Sequence, residues 1–327
     1  MIATAEKLQS ILNRHFMLIA ILALLPLMAK AGEGLKPAVQ KISNNKQITH
    51  RRISVDEICH EISKKLSHVL LSDCLGNGLV ASGGVSVKGY PILIKEYPPL
   101  PNVKPLGRVL LIGGIHGDEY SAVSIVFKWI NKLDKYHSGM FHWEVAPLVN
   151  PDGLLRKKSQ RMNEHGVDLN RNFPTPDWKE KSNYYWVKMT RRNPRRYPGP
   201  TPLSEPESRW LAAYIKEFKP DVIVSVHAPY GILDFDGPSR PPKKLGYLYL
   251  NLLGTYPGSL GNYAGIQKSI PVVTIELPYA GIMPTESQIS GVWADLIKWL
   301  RHDAKQPDIL TPTQQVQKTN SKGNGAS

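Results

Sequence analysis

The sequence predicts an α/β fold: a single domain with a mixed, largely parallel twisted sheet flanked by helices. Residues 108–113 have the composition of a buried strand, and apolar residues between Ala122 and Leu133 then recur at helical spacing. Two further apolar runs, at 221–226 and 272–277, are typical of other buried strands. The chain has 327 residues, 42% of them hydrophobic, which is enough for one α/β domain with a large core.

The first residues have the pattern of a secretory signal peptide. Lys7 and Arg14 precede an apolar run at 16–29, which ends in the small-x-small sequence Ala-Lys-Ala at 29–31. These 14 residues are fewer than the roughly 20 that a helix needs to cross a bilayer. We therefore expect residues 1–31 to be removed and the protein to be periplasmic or secreted. An uncleaved N-terminal membrane anchor is the alternative.

The net charge and the two cysteines bear on the partners and the compartment of the protein. Lys and Arg number 41 against 27 Asp and Glu, a net charge of +14. This excess can hold an exported protein near anionic envelope components. No nucleic-acid-binding motif accompanies it, so we expect no nucleic-acid partner. In an oxidising compartment Cys59 and Cys74 can form a disulfide, with two buried free thiols as the alternative.

Changes of composition divide the chain into five segments. After the signal peptide we expect a polar linker at 32–53, a small N-terminal helical segment at 54–84 and the main domain at 85–306. The tail at 307–327 is rich in Gln, Thr, Ser, Asn and Gly and is expected to be disordered.

Local patterns predict the remaining helices and strands. Apolar residues at 56–71 recur at helical spacing, and residues 85–97 indicate two short strands around Gly89. Another apolar strand is expected at 141–149. Two helices are expected to begin with a capping box, in which Ser or Thr is followed three residues later by Glu or Gln: Ser204 with Glu207, and Thr285 with Gln288.

Three predicted strands are followed by residues that can bind a metal ion. His116 and Glu119 come after the first of them, His227 directly after the second, and Glu276 lies at the end of the third. Because ligands bind at the carboxyl ends of the strands in an open α/β sheet, these residues are expected to converge. Two His and one carboxylate leave a fourth position on tetrahedral Zn²⁺ for water, as in catalytic sites. Glu276 then remains available to take a proton from that water.

Each of these signals has an ordinary alternative explanation. A His-x-x-Glu pair arises by chance, a His at a strand end is commonly a hydrogen-bonded structural residue, and a Glu beside Pro278 can cap a helix or form an ion pair. Glu276 is the most informative residue, because a carboxylate in an apolar strand is costly to bury unless its charge is compensated. A bound Zn²⁺ would provide that compensation.

Longer motifs between and after these residues resemble a known family. They are Asn-Pro-Asp-Gly at 150–153, Gly-Val-Asp-Leu-Asn-Arg-Asn-Phe at 166–173, Tyr-Pro-Gly-Pro at 197–200, Ser-Glu-Pro-Glu at 204–207 and Thr-Ile-Glu-Leu at 274–277. In this order, they resemble the zinc metallocarboxypeptidases, the relatives of carboxypeptidase A, and in particular the murein peptide amidases. The resemblance extends from about Gly84 to Leu300.

The resemblance implies a zinc carboxypeptidase-like fold and a role for each matching residue. His116, Glu119 and His227 match the ligands of the single zinc ion, and Glu276 matches the general base. Their chemistry agrees with these roles, since imidazole and carboxylate are usual ligands of catalytic Zn²⁺.

The remaining matches concern the substrate. Asn170 and Arg171 match the pair that binds the terminal carboxylate of the substrate, for which a planar guanidinium is suited. Arg161 matches, less closely, the Arg that stabilises the tetrahedral oxyanion, because its spacing to Asn170 is shorter than in the pancreatic-type enzymes. Arg156 is the alternative, and a solvated basic turn is the non-functional interpretation of both.

Some features depart from the digestive members of the family. Those enzymes carry a mobile Tyr shortly before the catalytic Glu, whereas here neither Tyr256 nor Tyr263 has a clear positional match. Asp234 or Asp236 could meet an ammonium group on the substrate, with an acidic turn as the alternative.

The implied activity is zinc-dependent hydrolysis of a C-terminal amide bond in a cell-wall peptide, between γ-D-Glu and diaminopimelate. The alternatives within enzymes are a carboxypeptidase acting on ordinary peptides and a deacylase of N-acyl amino acids. A non-catalytic cell-wall-binding protein is an alternative of another class, and a nucleic-acid- or lipid-binding protein selected for its charge is a further one.

Overall fold

The computed structural model describes residues 53–176 and 178–304. The predicted signal peptide (1–31), the tail (307–327) and all but the last residue of the linker (32–53) lie outside the described residues. Inside those ranges, no helix combines the length and the apolar character needed to cross a membrane.

The described residues form nine strands in two sheets. The strands are β1 (Val80–Val85), β2 (Pro91–Tyr97), β3 (Gly107–Ile112), β4 (Phe141–Ala146), β5 (Val222–His227), β6 (Ile232–Asp236), β7 (Lys244–Leu245), β8 (Leu248–Tyr249) and β9 (Val272–Glu276). The main sheet has the order β1-β2-β4-β3-β5-β9-β6, and β7 pairs with β8. Within it β4, β3, β5 and β9 are parallel, while β1, β2 and β6 pair antiparallel at the edges. The mixed, largely parallel sheet is therefore confirmed.

Seven α-helices surround the sheet in the described part of the chain. They are α1 (Val55–Lys65), α2 (Leu71–Leu75), α3 (Tyr120–Tyr136), α4 (Pro151–Leu155), α5 (Trp178–Tyr184), α6 (Pro206–Phe218) and α7 (Glu286–His302). Short 3₁₀ or π turns lie at Leu169–Arg171, Tyr185–Met189, Pro194–Arg196 and Gly261–Ile266.

Strand β3 shows that both faces of the sheet are buried. Val109 and Leu111 belong to the core that includes residues of α3 and α7, whereas Leu110 and Ile112 belong to the core that includes residues of α6. Successive side chains of a strand point to opposite faces, so a strand that is apolar at every position needs a helical layer on each side. The predicted amphipathic helix is α3, whose apolar positions from Ala122 to Leu133 are buried.

The N-terminal helix is shorter than predicted, and the disulfide explains why. We expected one helix over 56–71, but α1 ends at Lys65 and the chain turns before α2. Cys59 and Cys74 form the expected disulfide, with 5.5 Å between their Cα atoms. In a continuous helix, residues 15 apart would be separated by about 22 Å, so the turn is required. As a consequence Leu70, expected on the apolar face, is exposed.

The hairpin around Gly89 is present, but its first strand lies earlier than predicted. Strand β1 begins at Val80, five residues before the expected start, and its Gly-rich sequence VASGGV lacks an apolar alternation. Gly84 is needed there, because a Cβ at this position would lie 2.2 Å from the Trp210 ring. Gly89 adopts a φ of +85°, as a tight turn requires.

One of the two predicted capping boxes is wrong. Helix α6 begins at Pro206 with Glu205 as N-cap, not at Ser204, and Glu207 is fully buried. Glu207 instead accepts hydrogen bonds from the Asn163 side chain and the Val87 backbone, so tertiary contacts outcompete the local cap. The capping box of Thr285 with Gln288 at the start of α7 is confirmed. The strand expected over 141–149 ends at Ala146, before Pro147.

Candidate active site

The predicted metal ligands and the predicted base meet at the carboxyl edge of the parallel strands. His116 lies in the loop after β3, Glu119 is the N-cap of α3, and His227 is the last residue of β5. Glu276 ends β9, directly opposite His227 in the ladder. All four side chains are buried, and they line a cleft of about 280 Å³.

Close backbone packing holds the His-Gly-Asp-Glu loop in place. Gly117 contacts the backbone of Gly153 so tightly that a Cβ at position 117 would lie 2.2 Å from the Gly153 carbonyl carbon. The buried side chain of Asn150 donates hydrogen bonds to the carbonyls of Ile115 and Arg161 and accepts one from the Gly153 N–H. The Asn-Pro-Asp-Gly motif therefore positions the loop that carries His116.

Three side chains that can bind a metal face one another in the centre of the site. Nδ1 of His116 lies 2.8 Å from Oε1 of Glu119 and 3.1 Å from Nδ1 of His227, which in turn lies 3.0 Å from Oε2 of Glu119. Atoms bound to one tetrahedral Zn²⁺ at roughly 2.0–2.2 Å are separated by about 3.3–3.6 Å, a few tenths of an ångström more than these distances. The three residues form a group that can hold a metal ion.

The hydrogen-bond partners of Nε2 in His116 and His227 favour metal binding through Nδ1. Nε2 of His116 lies 3.2 Å from Oδ1 of Asp168, a carboxylate that can only accept, so Nε2 carries the hydrogen and Nδ1 keeps its lone pair. Nε2 of His227 lies 3.0 Å from the Ser225 hydroxyl, which can accept in the same way. Nitrogen lone pairs and a carboxylate then face one space, where a cation is needed to compensate them. The residues therefore fit a zinc ion.

The Glu119 carboxylate lies among groups that stabilise its charged form. Burial by itself raises the pKa of Glu119, but protonated His116 and His227 hold the pKa well below its ordinary value, and a cation bound between the three groups would take the place of those protons. Nη1 of Arg161 lies 3.6 Å from Oε1 of the same carboxylate. Glu119 is therefore ionised, as a metal ligand must be.

Asp168 contacts two residues of the candidate site but was not singled out in the sequence. It is fully buried, binds His116 through Oδ1 and accepts from Nε of Arg161 through Oδ2 at 2.9 Å. Burial raises its pKa, but Arg161 and His116 hold the pKa well below its usual range. The sequence signal that could have identified Asp168 was its position in the motif at 166–173, two residues before Asn170.

The structure separates the two arginines that were candidates for the oxyanion. Arg161 lines the cleft, and its Nη1 lies 3.1 Å from Nδ1 of His116. Arg156 pairs with Glu164 at 3.0 Å and is absent from the cleft lining. Of the two, Arg161 is placed to reach a substrate oxygen beside the metal ligands.

Asn170 and Arg171 lie together on another wall of the cleft. Oδ1 of Asn170 accepts the Leu260 N–H at 2.8 Å, which leaves its amide NH₂ as the group available for a ligand. The Arg171 guanidinium lies over the Tyr256 ring at 4.5 Å, and its buried Nε has no hydrogen-bond partner among the described residues. Such a donor suits a carboxylate ligand.

Glu276 has an unusual environment for a carboxylate. Burial, followed by the nearby charge of Glu119, raises its pKa to about 7, although His227 and the Tyr230 backbone N–H oppose the rise. Oε2 of Glu276 has no hydrogen-bond partner within the described ranges. The group can therefore exchange a proton near neutral pH.

Of the two tyrosines considered in the sequence, one lines the cleft and the other does not. Tyr256 lines the cleft, whereas Tyr263 stacks on Phe173 and is not part of its lining. Tyr185 and Tyr230 also line the cleft and were not singled out in the sequence. The more exposed of these is Tyr230, which is 56% exposed.

Comparison with known proteins agrees with the metal-binding geometry of the cleft. The zinc carboxypeptidase family profile matches residues 80–233. The chain is 30% identical to murein peptide amidase A of Escherichia coli strain K12 over 205 residues, covering 61% of this chain and 82% of that protein. It is 31% identical to murein peptide amidase A of Vibrio campbellii over 204 residues, covering 60% and 78%.

A solved structure supports the fold. The crystal structure of carboxypeptidase A from Helicoverpa armigera is similar, with a TM-score of 0.53 at 18% identity, covering 76% of this chain and 72% of that one. At this level of identity the likeness concerns the fold alone.

Proposed function

The chain belongs to the zinc carboxypeptidase family of metallopeptidases, and from this premise we propose that it is an exported enzyme that hydrolyses the γ-D-Glu-diaminopimelate bond of murein peptides. The observation that carries this proposal is the identity of 30–31% to two murein peptide amidases over about four fifths of their length. The cleft, with its complete set of matching side chains, supports hydrolysis over mere binding.

His116, Glu119 and His227 would hold one zinc ion, and that ion would supply Lewis-acid chemistry: it would polarise the amide carbonyl and lower the pKa of water. Glu276 takes a proton from the water that attacks the carbonyl carbon, and it then delivers this proton to the amine nitrogen as the carbon–nitrogen bond breaks. A carboxyl whose burial raises its pKa to about 7 is suited to both transfers near neutral pH.

Arg161 and Arg171 bind the oxygen atoms of the substrate that carry negative charge. Arg161, fixed by Asp168, donates to the carbonyl oxygen as negative charge develops on it. Arg171 and the amide of Asn170 bind the terminal carboxylate, which places the last amide bond beside Glu276. These roles would make the enzyme act from the carboxyl end of its substrate.

Export is the second part of the proposal. The N-terminal pattern at 1–31 supports it, and the disulfide between Cys59 and Cys74 is of the kind that persists in oxidising compartments. In this location the net charge, which is +14 for the full chain and +12 once residues 1–31 with their net +2 are removed, would favour association with anionic envelope components. N-terminal sequencing of the protein recovered from the periplasm or medium is expected to begin at Gly32; an intact Met1 in a membrane fraction would instead indicate an anchor.

The reaction is tested with L-Ala-γ-D-Glu-diaminopimelate and the zinc-loaded protein. We expect diaminopimelate to be released, and release to be abolished by a chelator and by Glu276→Gln. If α-linked peptides or N-acyl amino acids are cleaved and the γ-linked peptide is not, the murein assignment is wrong while the metallopeptidase mechanism stands. Zinc at one equivalent with no turnover of any of these substrates would favour the non-catalytic cell-wall-binding alternative.

A further inference from the structure

Two consecutive arginines, Arg195 and Arg196, line the cleft and have no role in the mechanism above. They belong to the short 3₁₀ turn Pro194–Arg196. The Arg195 side chain is 52% exposed and therefore lies at the mouth of the cleft, whereas Arg171 is buried in its wall. A substrate whose terminal carboxylate binds Arg171 must enter with that end first. The residue before the cleaved bond then lies nearer to the mouth and to Arg195.

Hydrogen bonds fix the turn that carries the two arginines. The Asn193 side chain caps the turn by accepting the Arg195 N–H at 3.0 Å, and the Asn193 carbonyl accepts from Nε1 of Trp186 at 2.9 Å. Directly after the turn, the Tyr197 carbonyl accepts the Asp168 N–H at 2.8 Å. The turn is therefore tied to the loop of Asp168, next to the candidate metal ligands.

The two arginines differ in their partners. Nη1 of Arg195 donates to Oδ2 of Asp118 at 2.7 Å, and Asp118 belongs to the loop between His116 and Glu119. This contact holds Arg195 beside the metal-binding loop. An arginine has five N–H donors, so Arg195 keeps donors for a second acceptor. The Arg196 guanidinium has no hydrogen-bond or ion-pair partner among the residues that the structure describes.

The cleft holds more positive charge than one terminal carboxylate needs. Arg161 is paired with Asp168, but neither Arg171 nor Arg196 has a carboxylate at ion-pair distance in the described ranges. Burial, and then the charges of Arg161 and Arg196, lower the pKa of Arg171 against the opposing charge of Asp168. Like charges in one cleft repel each other, and a second anionic group on the ligand would compensate them.

We propose that Arg195 and Arg196 form a subsite that binds the free α-carboxylate of a γ-linked glutamate, the residue before the cleaved bond. In a γ-linked peptide the side-chain carboxyl of glutamate forms the amide, so its α-carboxylate stays free, whereas an α-linked peptide has none at this place. The planar fork of a guanidinium suits a carboxylate. This inference rests on the proposed function and gives a structural reason for the γ-linkage of its substrate.

The test compares two substrates that differ only in this carboxylate. They are L-Ala-γ-D-Glu-diaminopimelate and L-Ala-γ-D-isoglutaminyl-diaminopimelate, in which the α-carboxylate is a carboxamide. We expect the zinc-loaded wild type to prefer the acid by roughly 10- to 100-fold in kcat/KM. In the double variant Arg195→Gln/Arg196→Gln this ratio should fall to about 1. The matched control Arg192→Gln, exposed in the same segment and absent from the cleft lining, should keep the wild-type ratio.

The ratio of the two kcat/KM values separates carboxylate binding from a structural role of the turn. A variant that is merely less well folded loses activity on both peptides equally, and unfolding curves with zinc content identify such a loss. If the double variant is too unstable, Arg195→Gln and Arg196→Gln are measured singly, and each should lower the ratio. The inference is overturned if the wild type does not discriminate between the peptides, or if the variants discriminate as strongly as the wild type.

A second pair of substrates keeps this inference distinct from the proposed function. If the γ-linked peptides are not cleaved, N-acetyl-Glu-Phe and N-acetyl-Gln-Phe are compared, because the Glu side chain then supplies a carboxylate before the cleaved bond. A preference for Glu that disappears in the double variant would support the subsite while the murein assignment fails, and equal rates would refute both. If no peptide is cleaved, calorimetry compares binding of the two γ-linked peptides to the wild type, and equal binding refutes the subsite.

Discussion

Oδ1 of Asp168 lies 3.2 Å from Nε2 of His116, so a residue from the loop before Leu169–Arg171 orients the ring that follows β3. Contacts of this type fix the tautomer of a metal-binding histidine and the direction of its lone pair. We therefore expect Asp168→Ala to weaken zinc binding by about 10- to 100-fold. Competition with a chromogenic chelator measures the change, with Asp303→Ala, at the C-terminal end of α7, as control. Unchanged zinc affinity in a folded Asp168→Ala protein would contradict the assignment.

Glu276→Gln is expected to retain zinc and to lose turnover. The amide keeps the size of the side chain but cannot accept a proton from water, so kcat should fall by about 10²–10⁴-fold. The measurement is kcat on any cleaved peptide, together with zinc content by mass spectrometry. A variant with more than a tenth of the wild-type kcat would show that Glu276 is not the base.

Arg171→Lys is expected to impair recognition of the terminal carboxylate. Lysine keeps the charge but not the planar fork, and it loses the placement of the guanidinium over Tyr256. We expect KM to rise by about 10-fold or more for substrates with a free C-terminal carboxylate. C-terminal amide analogues serve as the comparison. If Arg171→Lys prefers the free carboxylate over the C-terminal amide as strongly as the wild type does, Arg171 does not bind the terminal carboxylate.

The carboxyl group of Glu144 makes the stability of the folded protein depend on pH. It lies directly opposite Glu96 in the β2–β4 ladder. Burial, with a smaller contribution from the charge of Glu96, raises its pKa from an ordinary 4.5 to about 7, although a hydrogen bond from Tyr214 opposes the rise. Because the folded state holds this proton more tightly than the unfolded state, stability falls as the pH rises from 4.5 to about 7.

Glu144→Gln should therefore be more stable than the wild type above pH 7, and the difference should disappear near pH 4.5. Each pH unit in this window changes the free energy of unfolding by at most about 1.4 kcal/mol. Urea unfolding of both proteins across that range is the measurement. If the free energies of unfolding of the two proteins differ by the same amount at every pH, Glu144 is not the group whose protonation changes the stability.

The disulfide between Cys59 and Cys74 should stabilise the N-terminal segment. Both cysteines are fully buried, and the bridge closes a loop of 15 residues. Replacing both by Ser is expected to lower the free energy of unfolding by about 3 kcal/mol. Comparison of the oxidised wild type with the double variant by urea unfolding tests this value, and the reduced wild type should behave like the variant. Identical unfolding midpoints for all three would show that the bridge contributes nothing.

Much of the candidate site could be predicted because its residues lie at the ends of strongly apolar segments. The positions of His116, His227 and Glu276 follow from strands β3, β5 and β9, and parallel pairing then brings their ends to one edge. Where the local signal was weak, the prediction failed. Strand β1 contains two glycines, and helix α6 begins where tertiary hydrogen bonds to Glu207 outcompete the local cap.

The sequence by itself determined the fold class and predicted the candidate metal ligands and the candidate base, since strand periodicity and a few ordered motifs are local properties. Only the tertiary structure decided that Asp168 contacts His116 and that Arg161 and not Arg156 lines the cleft. These facts depend on which side chains meet across loops far apart in the chain. A carboxylate in a sequence looks the same whether it faces solvent, an arginine or an empty part of a cleft, and only packing distinguishes the three.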